Sequence, residues 1–515
     1  MNIPSILNDV IGPVMRGPSS SHSAAAVRIG RICRDLLQGR VETVDISFDT
    51  SGSLPTTYLG QGSDMGLCGG LLGFAADDER LVDYKAELVK AGIAVTYHTG
   101  NYGDPHPNTY NLRIAGGGEE HDVVAISTGG GMIEVQKIDG LELSYFGDCY
   151  GLTVWSDGDA AEAAGMLMGE GSTITRPGPD SAAPLFVTRS LPFSPELLEQ
   201  IAAGPGIIGF RTVAPVLPIL TTPETAVPFT TAAEMLSYSA QSGMVDLGEL
   251  ALEYEAARGN ITGEEVLEKA LRLVDILDDS VKDGLQGTTA ADRILGFQSG
   301  AYVEKRQQNA LFDLGLLNHC IPYITALMEV KSSLGVIVAA PTAGSCGALP
   351  GTVLAAAGTL QMGREAKARG LLAAGLVGAL IATRSTFAAE VCGCQAECGV
   401  ASGMTAAAMV SMYGGDCSTS LCAASIALQN IFGMVCDPVA KRVEVPCLGK
   451  NILAASNGIS CANLALAGYD PVIPFDEVVA AMDSVGRALP HELRCTGRGG
   501  LAVTPTALKI EKELG

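Results

Sequence analysis

Residues 403–432, GMTAAAMVSMYGGDCSTSLCAASIALQNIF, contain a single charged side chain, Asp416, among Ala, Gly, Ser and aliphatic residues. A helical stretch that is apolar around its whole circumference is one surrounded by other helices, so this segment is read as the centre of a bundle. Residues 352–383 share its Ala- and Gly-rich character. Outside them, AAEMLSYSAQSGMVDLGELALEYEAARG (232–259) and EEVLEKALRLVDILDDSVKDGL (264–285) repeat apolar residues at helical spacing, with acids on the opposite face. That is the pattern of outer helices with one wet side. Residues 230–515 are therefore expected to form an all-α domain that carries the chemistry.

The chain upstream has a different rhythm. VETVDISFDT (41–50), AGIAVTYHTG (91–100), TYNLRIAGG (109–117) and DVVAISTGGGMIEV (122–135) alternate apolar and polar residues, as half-buried strands do. With a helical opening they predict an α+β domain over 1–142. Residues 143–222 read as strand YGLTVW, helix DGDAAEAAGMLMG, strands STITRP and APLFVTRSL, helix SPELLEQIAAG and strand IGFRTVAPVL. The order β-α-β-β-α-β predicts a ferredoxin-like, ACT-like unit, which is either a ligand-sensing module or a structural spacer. The expected protein is thus multidomain.

Whole-chain quantities narrow the partners. Lys plus Arg number 33 against 56 Asp plus Glu in 515 residues, giving a net charge of −23 that repels nucleic acid and anionic membranes. Hydrophobic residues make up 47%, too many for a disordered chain, and the longest apolar run, 371–383, is shorter than the roughly 20 residues of a membrane span. The start, MNIPSILNDVIGPVMRGPSSSH, lacks the layout of an export signal, so a cytoplasmic protein acting on a small molecule is expected. In that setting the 14 cysteines are reduced thiols or metal ligands.

Eleven of the cysteines lie between Cys320 and Cys495, many in Gly-rich breaks between buried helices: AAPTAGSCGALPG (339–351), EVCGCQAECGVASG (390–403), GMVCDPVAKRVEVPCLGKN (433–451) and CTGRGGLAVTPT (495–506). Glycine and proline let the backbone pass close to a ligand. Cys346, Cys394 and Cys436, from three breaks, satisfy the need of an iron–sulfur cluster for thiolates from separate segments. Cys392, Cys394 and Cys398 form an alternative zinc-binding or redox set.

These motifs carry a resemblance. The sequence resembles the iron–sulfur L-serine dehydratases (L-serine ammonia-lyases), with the family's β part first and its α part second in one chain. The shared motifs are IGPVMRGPSSSHS (11–23), DPHPNTY (104–110), GGGMIEV (129–135), APTAGSCG, GCQAECG, CDPVA, VPCLGKN and GGLAVTPT, covering roughly 5–140 and 230–508. The resemblance implies conversion of L-serine to pyruvate and ammonia in amino-acid catabolism and gluconeogenesis, and a homodimer. It also implies a [4Fe–4S] cluster held by Cys346, Cys394 and Cys436, with one iron open to the substrate hydroxyl. Cys392, Cys398 and Cys447 are read as packing or supporting residues, and Cys495, in RCTGRGG, as the nearest candidate for a cysteine on the open iron but a poor substitute for one.

Of the six histidines, His22 and His106 lie in motifs and are the candidate bases. Ser19, Ser20, Ser21 and Thr342 are expected to hold the substrate carboxylate, or, for the serines, to cap the helix that follows. One departure stands out: where the family has a GHGTD-like stretch, this chain has GQGSD (60–64), and Gln61 can hydrogen-bond but cannot act as a base. That keeps open β-elimination from L-threonine or L-cysteine, and also an inactive amino-acid sensor of the same fold.

Overall fold

The structure is a computed structural model that describes residues 3–156, 172–176, 183–222, 225–290 and 293–514. A six-stranded sheet comes first, ordered 94–100, 43–49, 109–116, 119–129, 132–138, 141–145. Its 43–49 and 94–100 strands are parallel, and every other neighbouring pair is antiparallel. The alternation expected from the sequence holds: Ile46, Tyr110, Ile114, Ile133 and Val135 enter one core with Ile29, Ile32 and Leu36 of helix Ala25–Leu36. DVVAISTGGGMIEV, one alternating run in the sequence, is two strands folded back at Gly129–Gly131, whose φ values are +106°, +62° and +94°.

Helix Ala25–Leu36 is met by helix Ser63–Leu71 almost backbone to backbone. A Cβ on Gly66 would stand 2.1 Å from the carbonyl oxygen of Ser23, and one on Gly70 would stand 2.2 Å from that of Val27. This contact holds the GQGSD turn against the PSSSHS segment that leads into the first helix.

The next sheet has four antiparallel strands in the order 207–213, 150–156, 185–189, 172–175, which is 4-1-3-2 in chain order. Helix Pro195–Ala202 links its last two strands in sequence. The helix expected over DGDAAEAAGMLMG lies outside the described residues.

The third part is helical apart from a two-residue strand, Ile337–Val338, which pairs with Val14–Met15. The stretches 352–383 and 403–432 do form the centre: Ala348–Thr359, Arg364–Ala382, Cys398–Met412 and Cys417–Gln429 are buried along most of their length. No helix of the described residues is long and apolar enough to cross a membrane.

The N-terminal segment packs on this helical body. Gly375 and Gly378 leave room for it, since a Cβ on either would stand 2.4 Å from Ile6 Cγ2 or 2.2 Å from Val10 Cγ1. Buried Glu255 then fixes its first turn: one carboxylate oxygen accepts from Ser5 Oγ at 2.5 Å and the Leu7 amide at 3.1 Å, the other from the Ile6 amide at 2.7 Å. Replacing Glu255 by Ala strands three buried donors and is expected to lower stability by on the order of 3 kcal/mol. A urea midpoint unchanged in Glu255→Ala would refute this anchoring.

Candidate active site

Three of the four Gly-rich breaks of the helical body converge on one buried cavity with the serine segment and the GQGSD turn. Ser19, Gln61, Glu390, Glu397, Cys436, Cys447 and Cys495 line it, and the Sγ of Cys394 and Cys436 and a carboxylate oxygen of Glu397 lie within 4.8 Å of one another.

Local chain geometry explains the convergence. Gly393 has φ +71°, and a Cβ there would collide with the Met434 carbonyl at 2.8 Å, so only glycine lets Cys394 come down beside Cys436. Cys436 is tied to residues 493–495 by an isolated β-bridge: its amide donates to Leu493 O at 2.8 Å, and the Cys495 amide donates to Cys436 O at 3.0 Å. That pairing turns Cys495 into the cavity. Asp437 accepts from the Leu501 amide at 2.9 Å and from Lys450 Nζ at 3.0 Å, joining CDPVA to GGLAVTP. Asn451 clamps the APTAGSCG turn to the helix beginning at Cys447: it accepts from the Ala348 amide at 2.9 Å and donates to Gly344 O and Cys447 O, both at 2.8 Å.

The cavity has two chemically distinct sides. On the thiol side, hydrogen bonding to Cys394 and Cys495, with burial, holds the Cys436 thiol well above its ordinary range. Burial, with the neighbouring Cys394, does the same to Cys447. Thiols crowded in this way keep their protons unless a cation replaces them. Lys331, which donates to Val443 O, and Lys450 stand close enough to favour thiolates. On the other side are carboxylates and hydroxyls. Burial pushes Glu397 up to about 7, against its hydrogen bond from Thr342 Oγ1 at 2.7 Å. Glu390 accepts from Ser21 Oγ at 3.1 Å through one oxygen, while its second oxygen is buried with no partner among the described residues.

Of the residues singled out in the sequence, Ser19, Gln61 and Cys436 line the cavity and Cys394 joins Cys436. His22 stands behind Glu390 with its Nδ1 3.6 Å from that carboxylate, and it is held by Ser19 at 3.1 Å, Ser21 at 3.2 Å and Thr57 at 2.9 Å. Ser20 joins the two halves by accepting from the Ala343 amide at 3.1 Å, and Thr342 reaches the cavity through Glu397. His106 is half-buried, with its Nδ1 accepting from the Asn108 amide at 3.2 Å. The Gln61 amide donates to Cys495 Sγ at 3.4 Å.

Cys346 is not brought into this group. Its thiol packs against Met328 Sδ at 3.8 Å in an apolar cluster behind Cys447, and burial pushes it up to about 11. Cys447 lines the cavity in its stead. Glu390 and Glu397 have no place in the motif reading, and Cys495, not expected there to be a ligand, lines the cavity. The signal for the two carboxylates was present, because an acid inside a nearly chargeless, Gly-rich run is one that the fold must bury.

Burial lowers the His22 pKa below its ordinary 6.5, with Glu390 pulling the other way. The unfolded chain therefore takes up a proton below about pH 6.5 that the folded chain resists, so stability present above that pH is lost as pH falls, by up to about 1.4 kcal/mol per pH unit. The difference in Tm between wild type and His22→Gln is expected to shrink from pH 8 to pH 5. A constant difference would show that His22 is charged in the folded state.

Comparison with known proteins covers the helical part of the chain. The family model described as "Serine dehydratase alpha chain" matches residues 240–502. The chain is 39% identical over 253 residues to "Probable L-serine dehydratase, alpha chain" of Bacillus subtilis (strain 168), covering 49% of this chain and 84% of that one. It is 38% identical over 285 residues to "L-serine dehydratase, alpha chain" of Peptoniphilus asaccharolyticus, covering 55% and 97%. Against "L-serine dehydratase TdcG" of Escherichia coli (strain K12) the identity is 30% over 295 residues, covering 54% and 63%. The matched span holds every thiol of the cavity, while Ser19 and Gln61 come from the part before it, and on these grounds the chain belongs to the serine dehydratase alpha-chain family.

Proposed function

We propose that this protein is an iron–sulfur L-serine ammonia-lyase that converts L-serine to pyruvate and ammonia. The observation that carries the reading is the two-sided cavity: Cys394, Cys436 and Cys447 on one side, Glu390 with its unpartnered oxygen and Ser19 on the other. Soft, buried thiols suit iron–sulfur or zinc chemistry and not a hard cation. A cluster of several irons needs its thiolates farther apart than a single ion does, which favours Cys447 as the donor beyond the compact Cys394–Glu397–Cys436 group. We assign a [4Fe–4S] cluster to Cys394, Cys436 and Cys447, with Cys346 as packing. When bound, such a group supplies a Lewis-acidic iron that stabilises negative charge developing on the leaving hydroxyl oxygen.

The chain's own residues do the rest. Ser19 and the Gln61 amide hold the substrate carboxylate. Glu390 takes the α-proton through its free oxygen, with His22 and Ser21 as positioning residues behind it. The α-carbon electron pair forms the double bond as the β C–O bond breaks, the hydroxide leaves as water with the proton that Glu390 has taken, and the aminoacrylate tautomerises and hydrolyses to pyruvate and ammonia. His106, at the edge, is a lesser contributor in this scheme.

In the same reading the chain divides at 1–142, 143–222 and 230–515, and the middle unit is ACT-like, supported by its 4-1-3-2 strand order. The protein acts as a homodimer. Anaerobically prepared, iron-replete protein is expected to release pyruvate from L-serine faster than 2-oxobutanoate from L-threonine or pyruvate and sulfide from L-cysteine. No turnover of L-serine, with either of the others turned over, would move the substrate but keep the chemistry. No turnover of all three would favour a sensor.

A further inference from the structure

A second cavity, of about 520 Å³, lies where the three parts of the chain meet. That volume is within the roughly 300–1,000 Å³ of small-molecule sites. Its walls are apolar, with Ile11, Val27, Leu217, Leu273 and Ile276 among them, and its charged lining is Arg28, Arg31, Lys269 and Arg272 against one acid, Asp77. In a chain of net charge −23 such a local excess of cations is unusual. Arg28 is committed, donating to Gly131 O, and Arg272 pairs with Glu268 at 2.5 Å. Arg31 and Lys269 feel the carboxylates of Asp35 and Glu265 one helical turn away but close no hydrogen bond or ion pair with them. We propose that this cavity binds a small carboxylate with an apolar body, its anionic end between Arg31 and Lys269.

One wall is the strap that leaves the four-stranded sheet for the helical body. The strap is pinned on every side: Ala214 N donates to Asp35 at 2.9 Å, Val216 N to Gly147 O at 2.8 Å and Ile219 N to Asn8 Oδ1 at 3.0 Å. An occupant would therefore stiffen the junction of all three parts. It would also reach the first cavity by a short route. Helix Ala25–Leu36, which carries Arg28 and Arg31, starts just after His22, and Arg28 holds the Gly129–Gly131 turn, which lies so close to residue 388 that a Cβ on Gly129 would stand 2.6 Å from the Ala388 amide. Glu390 follows two residues on. Binding does not depend on the lyase reading, whereas the effect on turnover does.

The full-length protein is titrated calorimetrically with 4-methyl-2-oxopentanoate, L-leucine and acetate. The expected result is a Kd of about 1 mM or below for at least one of the branched acids and none for acetate. Affinity should fall tenfold or more in Arg31→Gln and Lys269→Gln, and also in Leu273→Trp, which fills the cavity. Binding of the oxo acid alone identifies a simple or keto acid. Equal binding of L-leucine identifies an amino acid with its ammonium toward Asp77. Saturating ligand is expected to shift the KM or kcat for L-serine at least twofold, and a bound ligand without that shift overturns the route to Glu390. Absence of binding by both branched acids at tens of millimolar, or binding unchanged in all three variants, overturns the site.

Discussion

Cys394→Ser and Cys436→Ser are each expected to lower L-serine turnover by about three orders of magnitude or more, which is about 4 kcal/mol of barrier. These two thiols form the tightest group in the cavity, and both sit on backbone that other motifs hold rigid: Gly393 under Cys394, and the pairing with Leu493 and Cys495 under Cys436. Serine is isosteric enough to keep that packing but is a poor soft donor, so the loss is one of iron binding and not of folding. The check is anaerobic pyruvate formation together with the thermal midpoint of the metal-free protein. Turnover within tenfold of wild type would show that neither thiol serves the reaction.

Glu390→Gln is expected to lower kcat by about 10²- to 10⁴-fold, the range for removal of a general base. The amide keeps the volume and can still accept from Ser21, so KM and iron content should change little. A primary isotope effect with α-deuterated L-serine should grow in the variant as proton abstraction becomes the slow step. A large rise in KM with kcat preserved would instead make Glu390 the residue that holds the substrate ammonium, and the base would then be sought at His106 or His22.

The helical core and the strands were legible because each has a strong internal period or none: GMTAAAMVSMYGGDCSTSLCAASIALQNIF admits no solvent face, and TVDISFD admits only one. Ser19, Gln61, Cys394 and Cys436 were legible as candidates because they sit in polar or Gly-rich motifs between regular elements. What the sequence hid was direction. Cys346 and Cys447 both follow Gly- or Pro-rich turns, and nothing in their spacing tells which thiol turns toward the cavity. That choice is made by Asn451, which clamps the two turns together and leaves Cys346 against Met328. Cys495, not a ligand by its motif, is turned inward only by its backbone pairing with Cys436. SILNDVIG likewise reads as a short helical opening, but its place on the helical body depends on Gly375, Gly378 and Glu255, far along the chain.

The assignment of the thiols is the centre of the account, and Cys346 and Cys447 separate it from the alternative drawn from the motifs. Iron and acid-labile sulfide per chain should be measured in anaerobically reconstituted wild type, Cys346→Ser and Cys447→Ser, with the visible absorbance of each. A cluster is expected in wild type and in Cys346→Ser, and its loss in Cys447→Ser. A full cluster in Cys447→Ser, with iron lost from Cys346→Ser, would contradict it.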